Sequence, residues 1–128
     1  MLFARIFLAV QALALVGLGL AYFIQPEEMA NLSGMLLMAP AAITDVRAYY
    51  GGLQIGLGVF LLLAISRADL TRAALTLLVL VYAGLALGRI GGLWLDGTTQ
   101  QSFNLYALLI ELVSAGLAFW ALRGVSRV

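Results

Sequence analysis

TDVRAYYGGLQIGLGVFLLLAI, residues 44–65, begins polar and ends as unbroken hydrocarbon. Its first eleven positions hold Asp45, Arg47, Tyr49, Tyr50 and Gln54, and the eleven that follow hold no polar side chain. A helix rises about 1.5 Å per residue, so about 20 apolar residues cross the ~30 Å hydrocarbon core of a bilayer. The stretch therefore reads as a membrane span, with its polar groups where the chain enters lipid.

Three further segments meet the same criterion. The spans are expected at about 3–24, 46–65, 73–95 and 103–122. The composition agrees: of 128 residues, 64% are hydrophobic and 10% charged, against about 25% charged in soluble domains. So few charges could not cover a globule of this size. The expectation is an all-α integral membrane protein, a four-helix antiparallel bundle forming a single transmembrane domain over residues 1–128. Arg5 ahead of the first apolar run resembles the start of a signal peptide, but the run is long for one and Tyr22-Phe23 suits processing poorly, so the segment is read as a retained span.

The flanks orient the spans. Arg5, Arg67, Arg72, Arg123 and Arg127 fall on one side, and Glu27, Glu28 and Asp96 on the other. The positive-inside rule then makes both termini cytoplasmic, in a bacterial inner membrane. The connections "SRADLTR" (66–72) and "DGTTQQS" (96–102) read as short loops, which makes consecutive helices antiparallel neighbours. The first outer connection, about 25–44, is longer. Pro26, the acidic Glu27 and Glu28, and Gly34 mark a short interfacial helix, since Pro suits a first helical position and Gly a C-terminal stop. Thr44 and Asp45 read as N-caps of the second span.

Ionisable groups inside a span are costly and are candidate functional sites. Measured along the helix, Arg89 lies roughly 8 Å below Trp94, Glu111 roughly 12 Å below Phe103, and Gln54 roughly 13 Å below Asp45. The expectation is a polar layer of Asp45, Arg47, Tyr50, Gln54, Arg89 and Glu111 in the outer half of the bundle, with an Arg89–Glu111 ion pair at its centre. Several roles are open to that layer: fixing helix register, binding a polar head with an apolar tail, relaying protons through Glu111, or catalysis. The chain has neither Cys nor His, which removes thiolate chemistry, disulfides and most zinc sites. Ser114 shares a face with Glu111, but beside a paired carboxylate it is not an activated nucleophile. No catalytic residue, metal site or cofactor is expected. A net charge of +1 without a basic patch argues against nucleic acid.

Small residues drive helix association where lipid removes the hydrophobic effect. Gly84, Gly88 and Gly92 recur every fourth residue on one face, and Gly52 and Gly56 do the same in the second span. They are expected to pack helices, either within the bundle or against another copy or a membrane-protein partner.

"TDVRAYYGGLQIGLGVFLL", "GRIGGLWLDG" and the Glu of "LYALLIELVSAG" together resemble DUF4345, an uncharacterised family of small bacterial membrane proteins. The resemblance covers nearly the whole chain and rests on Asp45, Arg47, Tyr50, Gly51, Gly52, Gln54, Gly56, Gly88, Arg89, Asp96 and Glu111. It implies a four-helix membrane bundle, distantly similar to the DoxX-like group, and implies no substrate. The expected function is a non-enzymatic membrane module whose partners are the bilayer and an amphipathic, lipid-like or quinone-like small molecule. The alternatives are an accessory subunit or homo-oligomeric scaffold, and a proton-coupled carrier or membrane enzyme using Glu111.

Overall fold

Lipid offers backbone N–H and C=O groups no partner but each other, so each long apolar run must close its hydrogen bonds as helix. The computed structural model describes residues 1–125 and is all-helical, with no strand among the described residues. Arg127, counted among the inner arginines above, lies outside them. The elements are α1 (Leu2–Ile24), α2 (Pro26–Asn31), α3 (Pro40–Val46), a π-helical segment (Arg47–Gly52), α4 (Leu53–Ser66), α5 (Ala68–Asp96) and α6 (Ser102–Arg123). α3, the π segment and α4 run on as one helix, Pro40–Ser66, which with α1, α5 and α6 makes four helices long and apolar enough to cross a membrane.

The short helix in the first connection forms where Pro26 and Gly34 place it. Pro26 opens α2, and Glu27 and Glu28 lie in its first turn. Gly34 has φ +84°; its N–H donates to the Asn31 carbonyl, and the Met35 N–H reaches back to Ala30 at 3.1 Å. This double closure around a left-handed residue is the Schellman stop, and glycine adopts that conformation at least cost.

Two boundaries differ from the sequence reading. The second span begins at Pro40, not Val46, with Ala39 extended ahead of it (φ −150°, ψ 156°). A proline forces the residue before it out of the helical region and itself fits the first turn. Thr44 and Asp45 consequently lie inside the helix and cap nothing. The second difference is at 66–72, where the loop reduces to Arg67 alone (φ −124°, ψ 105°) and α5 starts at Ala68. Asp69 in that first turn meets the positive end of the helix, and Arg67 Nη2 pairs with it at 2.8 Å.

The chain divides into two compact units, Leu8–Ser66 and Met1–Phe7 with the residues from Arg67 onward. In the first unit α1 packs antiparallel to the 40–66 helix. A Cβ on Gly19 would lie 2.7 Å from the Gly51 carbonyl oxygen and 2.7 Å from Ile55 Cγ1, and one on Gly58 would lie 2.5 Å from Val16 Cγ2 and 3.1 Å from the Ala12 carbonyl oxygen. Near the end of α1, the Tyr22 and Tyr50 rings meet at a 37° tilt with centres 5.1 Å apart. In the second unit α5 and α6 pack antiparallel along their length. Thr71, Ala74, Leu75, Leu78, Ala86 and Leu93 of α5 are buried, as are Glu111, Ser114, Ala118 and Ala121 of α6.

Among the described residues the glycines that meet a neighbouring helix closely are Gly19, Gly51 and Gly58, none of them in the set read from the sequence. A Cβ on Gly56, Gly84 or Gly88 meets no atom within 4 Å, and one on Gly52 or Gly92 meets only its own helix, at 3.8 and 3.9 Å. A repeat identifies which residues share a face, but not whether that face meets a neighbour. Gly19→Ala is expected to destabilise the protein by roughly 1–3 kcal/mol through overpacking. Gly84→Ala, in open space, is expected to be neutral or stabilising by up to about 1 kcal/mol, since glycine disfavours helix. Unfolding in mild detergent reads both, and equal effects would show that the two glycines do not differ in their surroundings.

Candidate functional site

The polar residues of α5 and α6 assemble into one connected chain. Arg89 Nε donates to Glu111 Oε1 at 2.7 Å, and Arg89 Nη1 donates to Asn104 Oδ1 at 2.7 Å. Asn104 Nδ2 donates to Gln101 Oε1 at 2.7 Å, and Gln101 Nε2 donates to the Gly97 carbonyl at 2.6 Å. The line of bonds runs from a buried carboxylate to the turn where α5 ends at Gly97, a glycine with φ +82°. The Arg89–Glu111 ion pair expected from the sequence is therefore present, with side-chain exposures of 26% and 8%. Its geometry follows from the helices: antiparallel packing sets Arg89 across from Glu111, and residues 104, 111 and 114 share one face of α6 at spacings of seven and three.

Asn104 and Gln101 were missed in the sequence, where they read as loop or helix-end polarity. The signal was there in the spacing, since Asn104 precedes Glu111 by two helical turns and Gln101 precedes Asn104 by one.

The other expected members of the polar layer lie in the Leu8–Ser66 unit and bond within it. Arg47 Nε donates to the Phe23 carbonyl at 2.9 Å, with its guanidinium 5.9 Å from the centre of the Phe23 ring. This satisfies one of the carbonyls that the end of α1 leaves without a helical partner. Gln54 Nε2 donates to the Tyr50 carbonyl at 2.6 Å, one turn back on its own helix. Tyr50 belongs to the π segment, whose wide turn is closed by the Leu53 N–H donating to Ala48, five residues back. Such a turn disturbs the regular ladder of the helix, and π turns recur at functional sites. Asp45 lies one turn before Tyr49 within the same continuous helix.

Beside the Arg89 cluster a groove of about 590 Å³ runs along α5. Gly84, Gly88 and Gly92 form its floor, Leu80, Val81 and Leu85 its apolar end, and Arg89, Asp96, Gln101 and Asn104 its polar end. The missing side chains of the glycine stripe are what make the space. No group of three or more potential metal-ligating side chains occurs among the described residues.

The fold and this cluster define a multi-pass helical protein with a charged pair inside an apolar helix packing. The chain belongs to the family described as Domain of unknown function (DUF4345), whose model matches residues 3–122. No curated protein and no solved structure shows significant similarity to it.

Removing one partner of a buried pair strands the other charge, so Arg89→Ala and Glu111→Ala are each expected to cost about 3–5 kcal/mol. The double variant is expected to cost clearly less than the two combined, because neither charge is then left alone. A double-mutant cycle in detergent checks this, and additive losses would mean that the two groups are energetically independent.

Proposed function

We propose that this protein is a non-enzymatic multi-pass module of a bacterial inner membrane, with both termini cytoplasmic, whose α5–α6 groove receives the head of a lipid-like or quinone-like molecule. The observation that carries the reading is that a glycine-floored groove with an apolar end terminates in the Arg89–Asn104–Gln101 cluster. Small-molecule sites have this form: mostly apolar walls and a few convergent polar groups that fix orientation.

The hydrogen-bond inventory narrows the head. Asn104 and Gln101 each use one amide hydrogen in the chain and keep a second, and Arg89 Nη2 donates to no acceptor among the described residues. These groups are donors, while the positive charge beside them is already balanced by Glu111. Asp96 adds a negative charge at the same end. The arrangement suits an uncharged hydrogen-bond acceptor, such as a carbonyl, with its tail against Leu80, Val81 and Leu85. The Glu111 carboxylate is engaged by Arg89, and the sequence offers no Cys or His nucleophile, which supports a non-enzymatic role.

A second reading has its own observation. Gly84 and Gly88 face open space, and a stripe of small residues lets another helix approach closely. In that reading the groove seats a helix of a second copy or of a larger complex.

Native mass spectrometry after gentle extraction into nanodiscs separates the two. The ligand reading expects a small-molecule adduct that is lost in Gly88→Leu, which fills the groove and leaves the ion pair alone, with copy number unchanged. The assembly reading expects Gly88→Leu to lower the copy number. A bare monomer in the wild type would sink both.

A further inference from the structure

The opposite end of the α5–α6 pair presents a separate surface with different chemistry. Arg72, at the start of α5, places Nη1 3.5 Å from the Leu122 carbonyl oxygen and 3.4 Å from that of Val125, at the end of α6. Phe3 and Trp120 are in contact there, with ring centres 4.7 Å apart, and Phe3 also stacks on Phe7 at 6.2 Å. A cavity of about 480 Å³ opens beside this contact, lined by Phe3, Ala4, Trp120, Ala121, Arg123 and Gly124.

The side-chain charges of the described residues at this end do not balance. Arg5, Arg67, Arg72 and Arg123 gather here, and Asp69 is the one acidic residue beside them, already paired with Arg67. Arg72 is engaged by the carbonyls at the negative end of α6, a placement the helix dipole favours. Arg5 and Arg123 are exposed and form no ion pair among the described residues. The cavity therefore combines an aromatic wall with positive charge that no described side chain pairs, at the end of spans where Trp and Arg meet the lipid headgroups.

We propose that this cavity binds the phosphate-bearing head of an anionic phospholipid. Arg123 supplies the charge that the phosphate neutralises, Arg5 adds to the positive potential, and the Phe3–Trp120 pair lies against the first carbons of an acyl chain. Charge complementarity selects the occupant. A zwitterionic head carries its own cation and leaves the arginines uncompensated, whereas an anionic head balances them, and basic groups near a membrane surface each strengthen such binding. The site is independent of the groove at Arg89.

The test uses the whole chain, reconstituted in nanodiscs. The sequence has two Trp, so Trp94→Phe leaves Trp120 as the sole emitter. Brominated phosphatidylglycerol and brominated phosphatidylcholine are compared at equal mole fraction as quenchers. The expected result is stronger quenching by the anionic lipid. Arg123→Gln is expected to raise the half-saturating fraction of that lipid about fivefold, the effect of one basic group near a membrane surface. Gly88→Leu, at the other site, is expected to leave it unchanged. Equal quenching by the two lipids, or an anionic preference that survives Arg123→Gln, overturns the proposal.

Discussion

A charge placed in hydrocarbon must find its opposite within the same protein, and much of the α5–α6 unit is arranged around that requirement. Glu111 is buried at 6% exposure, and Arg89 meets it at 2.7 Å. The cost of drawing two ions out of water is offset only when their remaining hydrogen-bonding capacity is also used. Asn104 and Gln101 provide that use and carry the polarity stepwise to the turn at Gly97. The pair thus has a way out to the end of the helices, and no buried side-chain nitrogen or oxygen is left without a partner among the described residues.

The same demand explains the other polar groups. Arg47 meets a carbonyl at the end of α1, Gln54 meets one in the π segment, and Arg72 meets those at the end of α6. Arg47 and Arg72 reach carbonyls near helix ends, where the regular ladder runs out, and Gln54 reaches one turn back on its own helix. Helix ends and irregular turns are where a membrane protein has unspent acceptors, and these side chains collect there.

The four spans were legible in the sequence because hydrocarbon thickness imposes a length, and the Arg89–Glu111 contact was legible because isolated charges in lipid have few options. Pro26 and Gly34 were legible because each restricts the backbone by itself. What the sequence hid was of another kind. Pro40 follows an apolar tetrad, Met35–Met38, so a hydropathy reading slides past the residue that starts the helix. The polar run 66–72 looked like a loop because polarity alone cannot distinguish a helical turn standing beyond the lipid from an irregular connection. Gly19 lies on one helix and Gly51 and Gly58, seven apart, on another, outside the four-residue repeat that marks Gly84, Gly88 and Gly92, which opens a groove instead. Contact is a property of two surfaces, and a periodicity describes only one.

The π segment Arg47–Gly52 carries a consequence for how this chain tolerates change. A π turn amounts to one residue more than the surrounding α-helix needs. Deleting one residue there is expected to restore an unbroken α-helix while keeping the residues before it near their present directions relative to α4, because the wide turn already absorbs the extra residue. Asp45 would keep its direction, and only the wide turn itself would be lost. The turn is therefore where this helix can lose a residue and keep its register, whereas the same loss within α4 would turn everything before it by about 100°.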